Sequence, residues 1–216
     1  VLLDRRRVKF WQKIVFGAMA VLMAGFLVFG YSGVLNGCEF MGAEESVTEQ
    51  IDAAIAAGQA AVKADPKDVD AWVKLGDDHL DRANQQAQGS DAQTADWREA
   101  ASAYERAAKV LGKTKGADAK QERLDVLEKL VGVHLFLEDY QQATSVYGQI
   151  TALRPKDAQS YFDMATVAIS AGDTNTALLA FTKFLELDPE SPDAAAVQEW
   201  IDENAPSPAP TKDSAE

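Results

Sequence analysis

Between Leu124 and Pro189 the chain repeats itself with a 34-residue offset. Ala143, Tyr147 and Pro155 return as Ala177, Phe181 and Pro189, and Leu130 returns as Met164. A fixed period of this length predicts stacked helical hairpins, because one hairpin cannot bury its apolar face without a neighbour. Chains built this way bind other proteins far more often than they perform chemistry.

The two regular units are 124–157 and 158–191. In the first, Leu127, Leu130 and Val131 form the apolar stripe of one helix, and Tyr140, Ala143, Val146, Tyr147 and Ile150 that of its partner. A divergent hairpin occupies 68–111. There 28 residues separate Trp72 from Ala100, where 16 separate Leu127 from Ala143, so 12 residues are inserted within Ala83–Asp96. The insertion is expected to lengthen the first helix and to loop near Gly89 and Ser90 before Trp97 re-enters the packing. Insertions of this kind fall on one face of a solenoid and often carry its specificity. A second irregularity, 112–120, reads as a loop carrying Lys113, Lys115 and Lys120. An unpaired helix is expected over 44–64, with Ser46 and Glu49 as its start signal and Asp65-Pro66 as its end. A closing helix is expected over 191–204, with Ser191 as cap and Pro192 in its first turn. The tail 204–216 should be disordered.

The other end of the chain has different chemistry. Residues 1–13 carry Arg5, Arg6, Arg7, Lys9 and Lys13 against Asp4, a net +4 that leaves −17 for the remainder of a chain whose formal charge is −13. Ile14 to Cys38 is 25 residues without a formal charge. As a helix it would run about 37 Å, enough to cross a hydrocarbon core of about 30 Å with some tilt. It reads as an uncleaved single transmembrane helix, a signal anchor, in a cell membrane. The basic flank puts the N-terminus in the cytoplasm and the domain after it outside. Two other readings stay open: a lipoprotein anchored through Cys38, on the resemblance of Leu35-Asn36-Gly37-Cys38 to a lipobox, and a cleaved signal or buried helix. Ala20-x3-Ala24 and Gly33-x3-Gly37 are small-residue pairs that would let two such helices approach, a route to an oligomer.

The composition argues against several chemistries. An acidic body gains nothing from phosphates, so nucleic acid is not an expected partner. One cysteine, Cys38, permits no internal disulfide. His79 and His134 occupy equivalent places in their hairpins and read as packing residues rather than metal ligands. No phosphate loop, nucleophile elbow or zinc-protease motif is present. Neither enzyme activity nor a cofactor is expected.

Trp72-x2-Leu75-Gly76, and Ala-x3-aromatic followed by Pro, resemble the tetratricopeptide repeat (TPR) family. The resemblance is strongest over 124–189, good over 68–111 and partial over 44–66. It implies a helical-hairpin superhelix over 39–203 of about three repeats plus flanking helices; with the N-terminal transmembrane helix, which lies outside the resemblance, the chain is expected to be all-α. It also implies a concave protein-binding groove lined by the first helix of each pair. Mapped onto this chain, the groove residues are Asp70, Val73, Asp77 and Asp81, then Asp125, Glu128, Leu135 and Phe136, then Gln159, Phe162, Thr166 and Ile169. Lys74, Leu80 and Asp163 lie beside them. Leu135, Phe136 and Phe162 are expected to be exposed among acids, which suits a basic or amphipathic protein or peptide segment. The function so implied is that of a membrane-tethered scaffold, bacterial in character, serving assembly, secretion or maturation of envelope proteins. An accessory structural subunit of a larger membrane complex is the alternative.

Overall fold

The computed structural model describes residues 46–205. The basic segment, the expected span 14–38, Cys38 and the expected tail beyond residue 205 lie outside them. Among the described residues there are eight helices and no strand: α1 Val47–Ala64, α2 Val69–Gln85, α3 Asp91–Leu111, α4 Ala117–Phe136, α5 Tyr140–Leu153, α6 Ala158–Ser170, α7 Thr174–Leu187 and α8 Ala194–Asn204. Each helix packs mainly against the next one in sequence, so the domain is a TPR-like superhelix of hairpins.

Local chemistry sets the helix ends. Asp68, Ser90, Asp139 and Asp173 each accept a hydrogen bond from a backbone N–H of the first turn that follows (Ala71, Gln93, Gln142 and Thr176), at 3.0–3.1 Å. Pro66, Pro155 and Pro189 each stand two residues past a helix end. At the ends of α4 and α6 the chain closes in the same way. The N–H of Asp139 donates to the carbonyl of His134, and that of Asp173 to Ala168, both at 2.9 Å. This closure needs one residue in the left-handed region. Gly172 fills that place in one hairpin (φ 73°) and Glu138 in the other (φ 55°).

Among the described residues the core comes in three clusters. Ile55, Val62, Leu75 and Ala103 join α1 to the first hairpin. Tyr104, Leu127, Leu130, Val146 and Ile150 anchor the largest cluster, across α3, α4 and α5. Phe181, Phe184, Ala165 and Val197 form the third, closed by Trp200 and Ile201 of α8.

Three local expectations change. The insertion is shared among three places rather than placed mainly in the first helix. Compared with the last hairpin, α2 has 17 residues against 13 in α6, and α3 has 21 against 14 in α7. Lys120 lies inside α4, because the helix already starts at Ala117 and shortens the expected loop. The closing helix starts at Ala194, not Ser191: a turn bonded from the Ala194 N–H to the Ser191 carbonyl (3.0 Å) occupies 191–193 and places Pro192 before the helix.

Candidate protein-interaction surfaces

The first helices of the three hairpins carry equivalent stripes. Asp70, Val73, Asp77 and Leu80 on α2 correspond in register to Asp125, Glu128, Gly132 and Leu135 on α4, and to Gln159, Phe162, Thr166 and Ile169 on α6. The last members form an aliphatic row in which Leu80 is half-buried and Leu135 and Ile169 are exposed. Asp70, Asp81 and Asp125 are exposed and form no ion pair among the described residues. Asp125 accepts only from Gln121 of its own helix (2.8 Å).

Other acids of the expected groove already have partners. Asp77 accepts from the Tyr104 hydroxyl at 2.6 Å and from Lys129 at 2.5 Å. Burial together with the adjacent Asp77 pushes the Tyr104 phenol well above its usual pKa, so it stays a donor. Glu128 pairs with Arg154 at 2.7 Å. Gln159 donates to Asp163, and the Thr166 hydroxyl donates to the Phe162 carbonyl. Val73 packs against the main core.

Phe162 departs from its expected exposure. It is half-buried, its ring centroid 5.2 Å from that of Phe184 and 5.7 Å from that of Phe181, because this turn of α6 faces α7. Phe136 is exposed but belongs elsewhere. One residue past Leu135 it is turned about 100° around the helix, and it stacks on Trp97 of α3 at 5.1 Å.

The insertion is held by a buried polar network. Arg82 binds both carboxylate oxygens of Asp96 (2.5–3.0 Å), His79 Nδ1 lies 2.8 Å from Asp96 Oδ1, and Gln86 donates to Asp96 Oδ2 at 2.8 Å. Burial alone would raise the Asp96 pKa. The bonds from Arg82 and His79 outweigh it and leave the carboxyl below its ordinary value. Arg82 also reaches Asp52 of α1. Gln93 donates to the Ala83 carbonyl and accepts from the Gly89 N–H, which closes the loop. His79 and His134 are both buried, as packing residues would be, yet their surroundings differ: neither ring nitrogen of His134 has a partner.

A hairpin register maintained over 34 residues, paired helices and the Ala-x3-aromatic core are features of a helical-hairpin repeat. Residues 130–202 match the tetratricopeptide repeat family model. Such a fold suggests protein–protein interaction. No curated protein matches the chain. Among solved structures, the chain is similar to MamA, at 18% identity and a TM-score of 0.44, covering 73% of this chain and 88% of that one. It is also similar to a thermophilic TPR protein of Thermus thermophilus, at 15% identity and a TM-score of 0.41, covering 89% and 95%. Among the described residues no helix is long and apolar enough to cross a membrane, and no group of three or more His, Cys, Asp or Glu side chains is placed to hold a metal ion.

Sequence reasoning missed the partnership of Phe136 with Trp97 and the network around Asp96. A signal for the first was available. Glu138 stands where the next TPR unit has Gly172, so this turn departs from the repeat at a position whose backbone favours glycine.

Proposed function

We propose that this chain is a membrane-tethered TPR scaffold that holds a basic or amphipathic protein segment on the α2–α4–α6 face, in the assembly, secretion or maturation of envelope proteins. One observation carries the reading. The aliphatic row of Leu80, Leu135 and Ile169 takes equivalent positions on the first helices of three hairpins; Asp81 follows Leu80 directly, and Asp70 and Asp125 stand ten residues, about 15 Å, up the same helices, all three carboxylates without a cationic partner among the described residues. An amphipathic segment can lay its apolar side on such a row and its basic side on such acids.

The uncharged run 14–38, preceded by the basic residues 1–13, supports a single cytoplasm-to-outside span in a bacterial cell membrane. Tethering would confine the partner to the membrane surface and raise its effective concentration. The test is affinity capture from solubilised membranes with the full chain, with an Asp125→Asn, Leu135→Ala double variant, and with a chain lacking residues 1–38. Loss of the captured partner in the double variant supports the face. Unchanged capture removes it from consideration. A stoichiometric complex that survives the double variant but not removal of 1–38 identifies a structural subunit instead. A reporter fused after Glu216 and active in the cytoplasm would overturn the orientation.

A further inference from the structure

Between α3 and the α4–α5 turn lies an open cleft of about 550 Å³. The same cleft recurs one hairpin later, between α5 and the α6–α7 turn. Leu137, Glu138, Asp139 and Gln142 of the first correspond, 34 residues on, to Ala171, Gly172, Asp173 and Thr176 of the second. The second cleft is therefore an internal control for what stacking alone requires. It has Gly148 where the first has Glu105, and Gly172 where the first has Glu138. Ser170 stands where the first has Phe136. None of those three side chains is needed to stack hairpins.

They set an exposed aromatic ring near two carboxylates. Phe136 is 66% exposed, with one face of its ring on Trp97 at an interplanar angle of 24° and most of the remainder open to solvent. Glu138 holds a left-handed backbone that disfavours any side chain, two residues from that ring. The Glu105 and Glu138 side chains form no ion pair or hydrogen bond among the described residues, while Asp139 is engaged in capping α5. Arg98 shares the lining, but three carboxylates against one arginine leave the cleft net negative. His134, 6% exposed, also lines it, and both its ring nitrogens lack a partner. A neutral imidazole offers one acceptor and one donor.

We infer that this cleft is a second docking site, distinct from the α2–α4–α6 face, and that it takes an arginine side chain presented by a protein segment. The guanidinium continues the Trp97–Phe136 stack, and its N–H groups donate to Glu138 and Glu105. Arginine fits better than lysine because it is planar, stacks on aromatic faces and binds carboxylates through two parallel bonds.

The test uses the full chain in non-denaturing detergent and fluorescence anisotropy of two labelled hexapeptides, Gly-Arg-Leu-Arg-Leu-Gly and its lysine counterpart. Phe136→Ala and Glu138→Gly should each weaken arginine-peptide binding by about tenfold, as expected for loss of a stacked or charge-paired contact. Glu138→Gly places at this position the residue that the next hairpin already has, so the fold is retained, as unfolding by urea will check. Glu199→Gln on α8 should leave binding unchanged, and the lysine peptide should bind more weakly. Equal loss in Glu199→Gln would reveal general attraction to an acidic surface and overturn the inference. Equal binding of both peptides would overturn the arginine assignment. Loss confined to Asp125→Asn, Leu135→Ala would place the peptide on the other face, overturning this site and supporting the reading above. Loss in Phe136→Ala and Glu138→Gly with that double variant intact supports the cleft alone.

Discussion

A Cβ atom built on Gly76 would lie 2.6 Å from Cε1 of Tyr104, whose ring is fully buried and whose hydroxyl is bonded to Asp77. The two residues meet across the α2–α3 contact of the first hairpin. Tyr104 cannot retreat without giving up both its packing and its carboxylate partner. Gly76→Ala should therefore lower stability by about 1–3 kcal/mol, as overpacking of a filled core does. Gly132 is the contrast: a Cβ there meets nothing within 4 Å. Gly132→Ala should raise stability by about 0.5–1 kcal/mol through helix propensity. Urea titration of both variants measures the pair, and a Gly76→Ala protein as stable as the parent would show that the ring yields freely.

Asp96 is shared by Arg82, His79 and Gln86, with a side chain only 4% exposed. Removing it leaves the buried His79 ring without its partner, while Arg82, 30% exposed, keeps solvent and Asp52. Asp96→Ala should cost about 1–3 kcal/mol, the range for leaving a buried polar group unsatisfied. Asp52 meets the same arginine from the surface, 54% exposed, and Asp52→Ala should cost less than about 1 kcal/mol. Equal losses in the two variants would mean that the network is not the organising element of the insertion.

Burial lowers the His134 pKa below 6.5, only partly offset by the nearby carboxylates of Asp139 and Glu105. The folded state thus binds its proton less readily than the unfolded chain. Below about pH 6.5 the unfolded state carries more protons, so stability falls as pH falls, until the folded pKa is reached. Above that window the group makes no pH-dependent contribution. Thermal unfolding between pH 7.5 and 5 should show a decline for the parent that His134→Gln reduces. Identical profiles would assign the decline to other groups.

Lys129 bridges from α4 to Asp77 of α2 and lies 5.6 Å from the centre of the Tyr104 ring. Both charged groups are about two-fifths exposed, so the pair is solvent-screened and Lys129→Ala should cost less than about 1 kcal/mol. The same change frees Asp77 for an incoming cation. A basic segment that occupies the α2–α4–α6 face should bind Lys129→Ala more tightly, with a steeper dependence on salt. Isothermal titration at two ionic strengths measures this, and weaker binding would show that Lys129 contacts the segment itself.

The hairpin register, most helix ends and the repeated aromatics Tyr147 and Phe181 were legible in the residues. Ala143, Tyr147 and Pro155 recur at a fixed offset, and the apolar spacing around Leu127 and Leu130 is a property of one helix alone. Asp139 and Asp173 cap the residues directly after them. Legibility stopped where partners lie far apart in sequence. Phe162 looked like Phe136, an aromatic near an acid on a first helix, yet one packs on Phe184 and the other on Trp97. They stand at different register positions of their helices, but neither helix by itself names the partner its ring meets. The difference lies in the neighbouring hairpin, whose α3 begins earlier because of the insertion.

The sequence by itself determined an all-helical repeat, its period, the acidic body and the apolar run before it, because helix formation, capping and charge are properties of adjacent residues. Tertiary structure alone decided which acids are paired, which aromatic faces solvent and which histidine has a partner. Those outcomes depend on how one hairpin seats against the next, and a few residues of loop or helix length rotate every side chain that meets across the seam. His79 and His134 hold the same place in their hairpins, and only the stacking gave one of them Asp96.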